Sequence, residues 1–446
     1  MKLKNVTRFL LFAFSIMFIA SSCVKEGPMG LTGNTGANGK DGKDGKDVNE
    51  TCKMCHTPAK VDLITTQFQL SKHKYGEAAF AEAGIAGCTP CHATEAFKYV
   101  VKNNVKSTFT LNATTGKWTN DYATIPSAAY GDLGCSTCHS SIHATYGSSD
   151  LPSLTTVAPV AMTMWGGAKT IDLKADGGVS NLCVKCHQPR PFTNALTGNV
   201  QDYVAIAAAP TGIMYDGNPI GTTNKVKPSY RMHTHYGTAG AVYAGMGGVE
   251  FAGTLPYTNS IHTTVASCVD CHMGEMNGKA GGHTFTAKGN LTTCNATGCH
   301  STAITSASTT LWTSPRADIK TLLNTLATKL SVNGVDILNR SGDAEANLWI
   351  GLTNNNYDGY LNVYDPITNP TAQTYNASSF RFAALVPPAT WSQAQKDYNA
   401  TLPILTLTNA QFGAIINFQL CLRDYSLGIH NYAYTKALLT NSIAKL

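Results

Sequence analysis

The run Cys-x-x-Cys-His occurs five times between residues 52 and 272, and a stretched sixth copy ends at His300. The copies are Cys52-Lys-Met-Cys55-His56, Cys88-Thr-Pro-Cys91-His92, Cys135-Ser-Thr-Cys138-His139, Cys183-Val-Lys-Cys186-His187 and Cys268-Val-Asp-Cys271-His272. The sixth is Cys294-Asn-Ala-Thr-Gly-Cys299-His300, with four residues between its thiols. Two thiols at this spacing suit thioether bonds to a porphyrin, and the adjacent imidazole suits the proximal position on its iron. Zinc modules close one tetrahedron from two separated knuckles and have no need of a His after every second Cys. Of fourteen cysteines, twelve sit in the six copies, leaving Cys23 and Cys421, which argues against a disulfide framework. A thioredoxin-like reading would want a βαβ pattern around each copy, and none surrounds them. The expected cofactors are therefore six covalently bound haem c groups.

The first residues point to export. Lys2, Lys4 and Arg8 precede the apolar run Phe9 to Ala20, long enough for a signal peptide and short for a membrane span. Ala20-Ser21-Ser22-Cys23 then resembles a bacterial lipobox, which makes 1–22 an expected lipoprotein signal peptide and Cys23 the expected lipidation site. Haem of the c type is attached outside the cytoplasm in bacteria, so the leader and the motifs agree on the cell envelope. Val24 resembles the residue that forwards lipoproteins to the outer membrane, on its periplasmic or its cell-surface face.

From Gly27 to Gly45 glycine recurs at every third residue, a collagen-like Gly-x-y pattern with Pro28 as its sole proline. Residues 23–50 are expected to be a hydrophilic tether rather than a trimerising helix. As a flexible coil it would span roughly 30 Å and fully extended roughly 90 Å.

Residues 51–300 are the expected hexahaem region. So many macrocycles in so little chain leave no room for a conventional protein core, and the porphyrins themselves are expected to supply much of the buried apolar surface. The stretch Glu77 to Ala83 reads as a short helix, Phe109 to Trp118 as a hairpin, and 148–178 and 189–228 as loops rich in Gly, Pro, Asn and Thr. Residues 301–446 carry no attachment motif and read as a helical buttress. Ser314 and Pro315 open a helix whose Ile319, Leu322, Leu323, Leu326 and Leu330 share a face until Asn333-Gly334 stops it. Phe412, Ile415 and Ile416 mark a second apolar face, and Ala433, Leu438, Leu439 and Ile443 a third. The expected fold is mainly α with extensive loops and little β, a multihaem cytochrome c array with a helical C-terminal region. Cys421 reads as a small buried apolar residue.

Thirteen histidines are present, and the six motif residues His56, His92, His139, His187, His272 and His300 leave seven. Six irons with a second axial imidazole need six more. His73, His143, His262, His283 and His430 supply five, and one of His233 and His235 the sixth; His235 is preferred because it opens His-Tyr-Gly, much as His73 opens His-Lys-Tyr-Gly.

The stretch from His262 through Cys268-Val-Asp-Cys271-His272-Met273 to Gly282-His283-Thr-Phe285 resembles the multihaem cytochromes related to ammonia-forming nitrite reductases and hydroxylamine-oxidoreductase-like proteins. The segment Asp424-Tyr-Ser-Leu-Gly-Ile-His430-Asn-Tyr resembles the same family's C-terminal Gly-Val-His-Asn-Pro segment on a long helix. The resemblance covers about 60 residues in two blocks and implies distal roles for His262, His283 and His430. The chain departs from the family in having no Cys-x-x-Cys-Lys haem with an open catalytic face, so the resemblance implies architecture more than activity, and no catalytic residues are assigned.

Formal charge is +6 and falls to +3 once Lys2, Lys4 and Arg8 leave with the signal. Each ferric haem with two ionised propionates adds a net charge of about −1, taking the mature protein to about −3. Nucleic-acid binding is not expected. The expected function is an exported, lipid-anchored electron carrier with bis-His haems, working in respiratory or extracellular electron transfer. Its expected partners are other redox proteins or soluble and extracellular acceptors, the membrane through the lipid on Cys23, and copies of itself in an oligomer. The alternatives are a reductase of a small nitrogen or sulfur oxyanion at one five-coordinate haem, and a subunit of a cytochrome filament.

Overall fold

The computed structural model describes most of residues 57–446; residues 1–56, 121–131, 140–153, 216–225, 340–356 and 365–380, with shorter runs between, lie outside the described residues. The leader, Cys23, the glycine triplets and the first motif, Cys52, Cys55 and His56, therefore fall outside them, as do His143 and most of the helix expected at Glu77 to Ala83.

The described chain is mostly helix and loop with little strand. In order, the first part gives α1 (Pro58–Gln69), α2 (Lys72–Tyr75), α3 (Thr89–His92), α4 (Thr94–Lys102), the hairpin strands β1 (Phe109–Asn112) and β2 (Lys117–Asn120), and α5 (Cys135–Cys138). The middle gives β3 (Val160–Ala161), β4 (Thr170–Ile171), α6 (Val179–Val184), α7 (Tyr203–Ala208), β5 (Ile213–Tyr215), α8 (Ala239–Tyr243), α9 (His262–Val265) and α10 (Cys268–His272). The last part gives α11 (Ser314–Lys329), β6 (Ser331–Val332), β7 (Val335–Asp336), α12 (Gln393–Thr401), β8 (Leu407–Thr408), α13 (Asn409–Arg423) and α14 (Tyr432–Lys445). Among the described residues strands pair only as two-stranded ribbons, and β5 in the middle of the chain joins β8 in its last part. The expected hairpin is present, with Phe109 opposite Asn120 and Leu111 opposite Trp118.

Helix α13 explains where the core sits. Thr408 caps it, with Oγ1 accepting from Gln411 N while Gln411 Oε1 accepts from Thr408 N, a reciprocal box that satisfies two donors at the helix start. From Ala410 to Arg423 it is buried except at Gln411, so it runs through the interior rather than along it. It packs on α14, α11, α7 and α8. Phe412, Ile415, Ile416, Phe418 and Leu420 meet Leu438 and Leu439 of α14, Ile319, Leu323 and Leu326 of α11, and Val184, Ile206, Val242, Val249 and Phe251 from the motif-bearing region. The C-terminal helices thus fold back onto residues 160–251. The expectation of no conventional protein core is corrected: one continuous apolar cluster spans Val160 to Leu439, because the C-terminal helices carry it and the middle segments dock on them.

Two boundaries also differ from expectation. Helix α11 ends at Lys329, not at Asn333-Gly334; those two residues, at φ +51 and +77, form the tight turn between β6 and β7. A two-residue Asn-Gly link with both φ positive is the turn whose twist suits a hairpin. The region 189–228, expected as loop, contains α7, capped by Asp202, whose Oδ1 accepts from Val204 N and Ala205 N. Among the described residues no helix is long and apolar enough to cross a membrane.

Candidate metal centres

One helical turn places residues three and four apart on a single face. A Cys-x-x-Cys-His run wound this way presents both thiols and the imidazole together. His92 N donates to Cys88 O at 3.1 Å, His139 N to Cys135 O at 2.9 Å and His187 N to Cys183 O at 3.0 Å. The fifth copy is α10 itself, started by a box in which Ser267 Oγ accepts from Asp270 N at 3.2 Å and Asp270 Oδ2 accepts from Ser267 N at 2.8 Å. In the sixth, two extra residues ought to break the geometry. Gly298, at φ +89, turns the chain back, and His300 N still reaches Cys294 O at 3.3 Å. Glycine is needed there because a Cβ makes that φ costly.

Every motif histidine among the described residues faces a second histidine from elsewhere in the chain. His187 meets His73 with ring centres 6.0 Å apart, His92 meets His235 at 6.3 Å, and His139 meets His283 at 6.3 Å. His272 meets His430 at 6.0 Å, and His300 meets His262 at 5.9 Å. A metal held by two imidazole nitrogens at about 2 Å each, with roughly 1 Å more from nitrogen to ring centre, would set the centres roughly 6 Å apart. The rings are thus spaced for one ion between them. Among the described residues no group of three or more His, Cys, Asp or Glu gathers, so the grouping is in twos.

In five of these rings the other nitrogen is held by a described neighbour. Nδ1 lies 3.2 Å from Gly237 O in His187, 2.9 Å from Tyr236 O in His235, 3.2 Å from Ile429 O in His262 and 2.9 Å from Phe285 O in His272. A carbonyl oxygen only accepts, so Nδ1 carries the proton and the Nε2 lone pair is left for the metal. In His430, Nδ1 lies 2.6 Å from Asp424 Oδ1. Burial pushes His73 and His235 down to about 4 and lowers His187, His272 and His283 as well, so these rings are neutral and ligand-competent at pH 7. His430 goes the other way. Burial works against its charged form, but the adjacent Asp424 carboxylate outweighs burial and lifts the ring.

The centres adjoin one another. The thiols of Cys91 and Cys186 are neighbours that perturb each other, the first pushed down and the second up, and those of Cys183 and Cys268 are too, the first pushed up and the second down. Cys268 N also donates to Ser180 Oγ at 3.0 Å, tying α10 to α6. The fourth motif therefore lies beside both the second and the fifth. Phe285 spans three centres: its ring is 4.9 Å from that of His73 and 5.7 Å from that of His283, while its carbonyl binds His272.

The Nδ1 of His233 accepts from His235 N at 3.0 Å, and its ring lies 5.5 Å from Tyr360 and 5.7 Å from Tyr236. His235 has φ +82, a conformation costly for a residue with a side chain, so the backbone is strained where its ring is presented. Cys421 is buried among apolar neighbours, which pushes its thiol well up. Sequence reasoning missed Asp424, Phe285 and Gln67, whose Oε1 accepts from His283 N at 3.0 Å. The first sits six residues before a histidine and carried a readable signal; the other two are placed by folding alone. Compared with protein-family models, curated proteins and solved structures, the chain has no match.

Proposed function

We propose that this chain is an exported, lipid-anchored hexahaem c-type cytochrome that carries electrons through bis-histidine haems, in respiratory or extracellular electron transfer. The observation that carries the reading is the set of five histidine pairs, each joining a motif His to a partner at the spacing one ion requires. Haem bound at each pair would supply one-electron chemistry at iron. The thiols of Cys88, Cys91, Cys135, Cys138, Cys183, Cys186, Cys268, Cys271, Cys294 and Cys299 would anchor it, and the paired imidazoles would fill both axial positions. Cys52, Cys55, His56 and His143 keep the roles their sequence context assigns them in the sixth centre. A filled axial set keeps substrate off the metal and favours outer-sphere transfer to other redox proteins or to soluble and extracellular acceptors. Contact between neighbouring motifs supports passage from centre to centre, and kinship with the nitrite-reductase and hydroxylamine-oxidoreductase-like cytochromes belongs to the same proposal.

Adding nitrite, hydroxylamine or carbon monoxide to the purified protein tests this reading. Unchanged optical and EPR spectra are expected. A shift at any one haem would replace the carrier with a reductase of a small oxyanion at an open iron.

A further inference from the structure

Among the described residues, Asp424 is the one carboxylate that reaches a paired ring. Its side chain has no solvent exposure, and His430 Nδ1 is 2.6 Å from its Oδ1. Ser426 Oγ donates to its other oxygen. A buried carboxylate needs compensating positive charge, because removal from water costs several kcal/mol per ion. No lysine or arginine bridges to it among the described residues, and the neighbouring Arg423 guanidinium instead lies over the rings of Tyr236 and Tyr360, 4.5 and 5.1 Å from their centres. Among the described residues the positive charge paired with it lies along one line: the Nδ1 proton and whatever ion Nε2 binds.

We propose that Asp424 is a positioning residue that makes the His272/His430 centre the most reducing of the array. This rests on the bis-histidine haem reading above. A charge-assisted bond to Nδ1 is shorter and stronger than a bond to a neutral acceptor, and it raises the electron donation of Nε2 to the metal. The carboxylate's own charge, in surroundings of low dielectric, favours the ferric form over the ferrous. Reduction of the centre adds one electron and makes or breaks no bond, so the whole effect falls on its potential. The four carbonyl-bonded rings, His187, His235, His262 and His272, have only a neutral partner. Because α10 touches α6 through Cys183, Cys268 and Ser180, this centre adjoins that of the fourth motif, and a low potential here sets the direction in which an electron passes between the two.

Potentiometric titration of the full-length holoprotein, followed haem by haem by EPR, tests the inference with Asp424→Asn and Asp424→Glu. The amide keeps an acceptor for Nδ1 and removes the charge, so the lowest midpoint of the array should shift upward in Asp424→Asn, with the others unmoved, and return in Asp424→Glu. An unmoved lowest midpoint, or a shift in a different centre, overturns the proposal. Should Asp424→Asn fail to accumulate with its haems, the unaltered protein decides: near-infrared magnetic circular dichroism of the last centre to be reduced should carry the high-energy band of a ligand with imidazolate character, and its absence overturns the proposal. A parent protein without low-spin haem would instead bring down the function proposed above.

Discussion

A histidine that binds a metal through Nε2 is oriented and made a better donor when its Nδ1 is held. Here carbonyls of Gly237, Tyr236, Ile429 and Phe285 and the carboxylate of Asp424 do the holding, and each comes from a segment other than a motif. His283→Ala should leave one iron, that of His139, with an open position. We expect a ferric high-spin EPR signal from one haem and carbon monoxide binding at that haem alone. A fully low-spin spectrum for this variant would contradict the pairing of His139 with His283.

At the scale of elements, Gly298 carries the stretched sixth motif. Any L-residue at its φ of +89 is strained by about 1 kcal/mol or more. Gly298→Val should therefore lower haem occupancy at Cys294 and Cys299, read as loss of one haem mass in part of the protein, with the other sites full. Asn417, wholly buried in α13, donates from Nδ2 to Val249 O and Ser442 Oγ, both at 2.8 Å, and accepts from Val249 N at 2.7 Å. Asn417→Ala strands those partners and should cost about 2–4 kcal/mol in denaturant unfolding followed by circular dichroism. Helices α13 and α14 were legible because Phe412, Ile415, Ile416 and Leu438, Leu439 repeat at helical spacing. Helix α12 was not, since Gln393–Thr401 is polar throughout; its start signal, Ser392 three residues before Gln395, was present and went unused. The end of α11 was misplaced because Asn-Gly stops helices and also makes hairpins, and only the strands flanking it show which.

For the whole molecule, the counting of histidines was legible and their pairing was not. Thirteen histidines against six motifs called for six distal partners, but which ring meets which is decided by packing between distant segments. His430 reaches His272 only because α13 crosses the interior and α14 folds back beside it, with Asn431 Oδ1 accepting from Ser260 N at 3.0 Å to hold that return. The preference for His235 over His233 came from a local likeness to His73, and the structure sets His235, not His233, against His92. The extent of the core is not legible in residues 51–300, because much of its apolar surface comes from the C-terminal helices. The account as a whole requires mature protein whose irons are all closed on both sides. Intact-mass determination combined with spin-quantified low-temperature EPR on one purified sample tests that most directly. The predicted result is six covalent haems, every ferric iron low-spin; fewer than six, or a high-spin signal integrating to a whole haem, would contradict it.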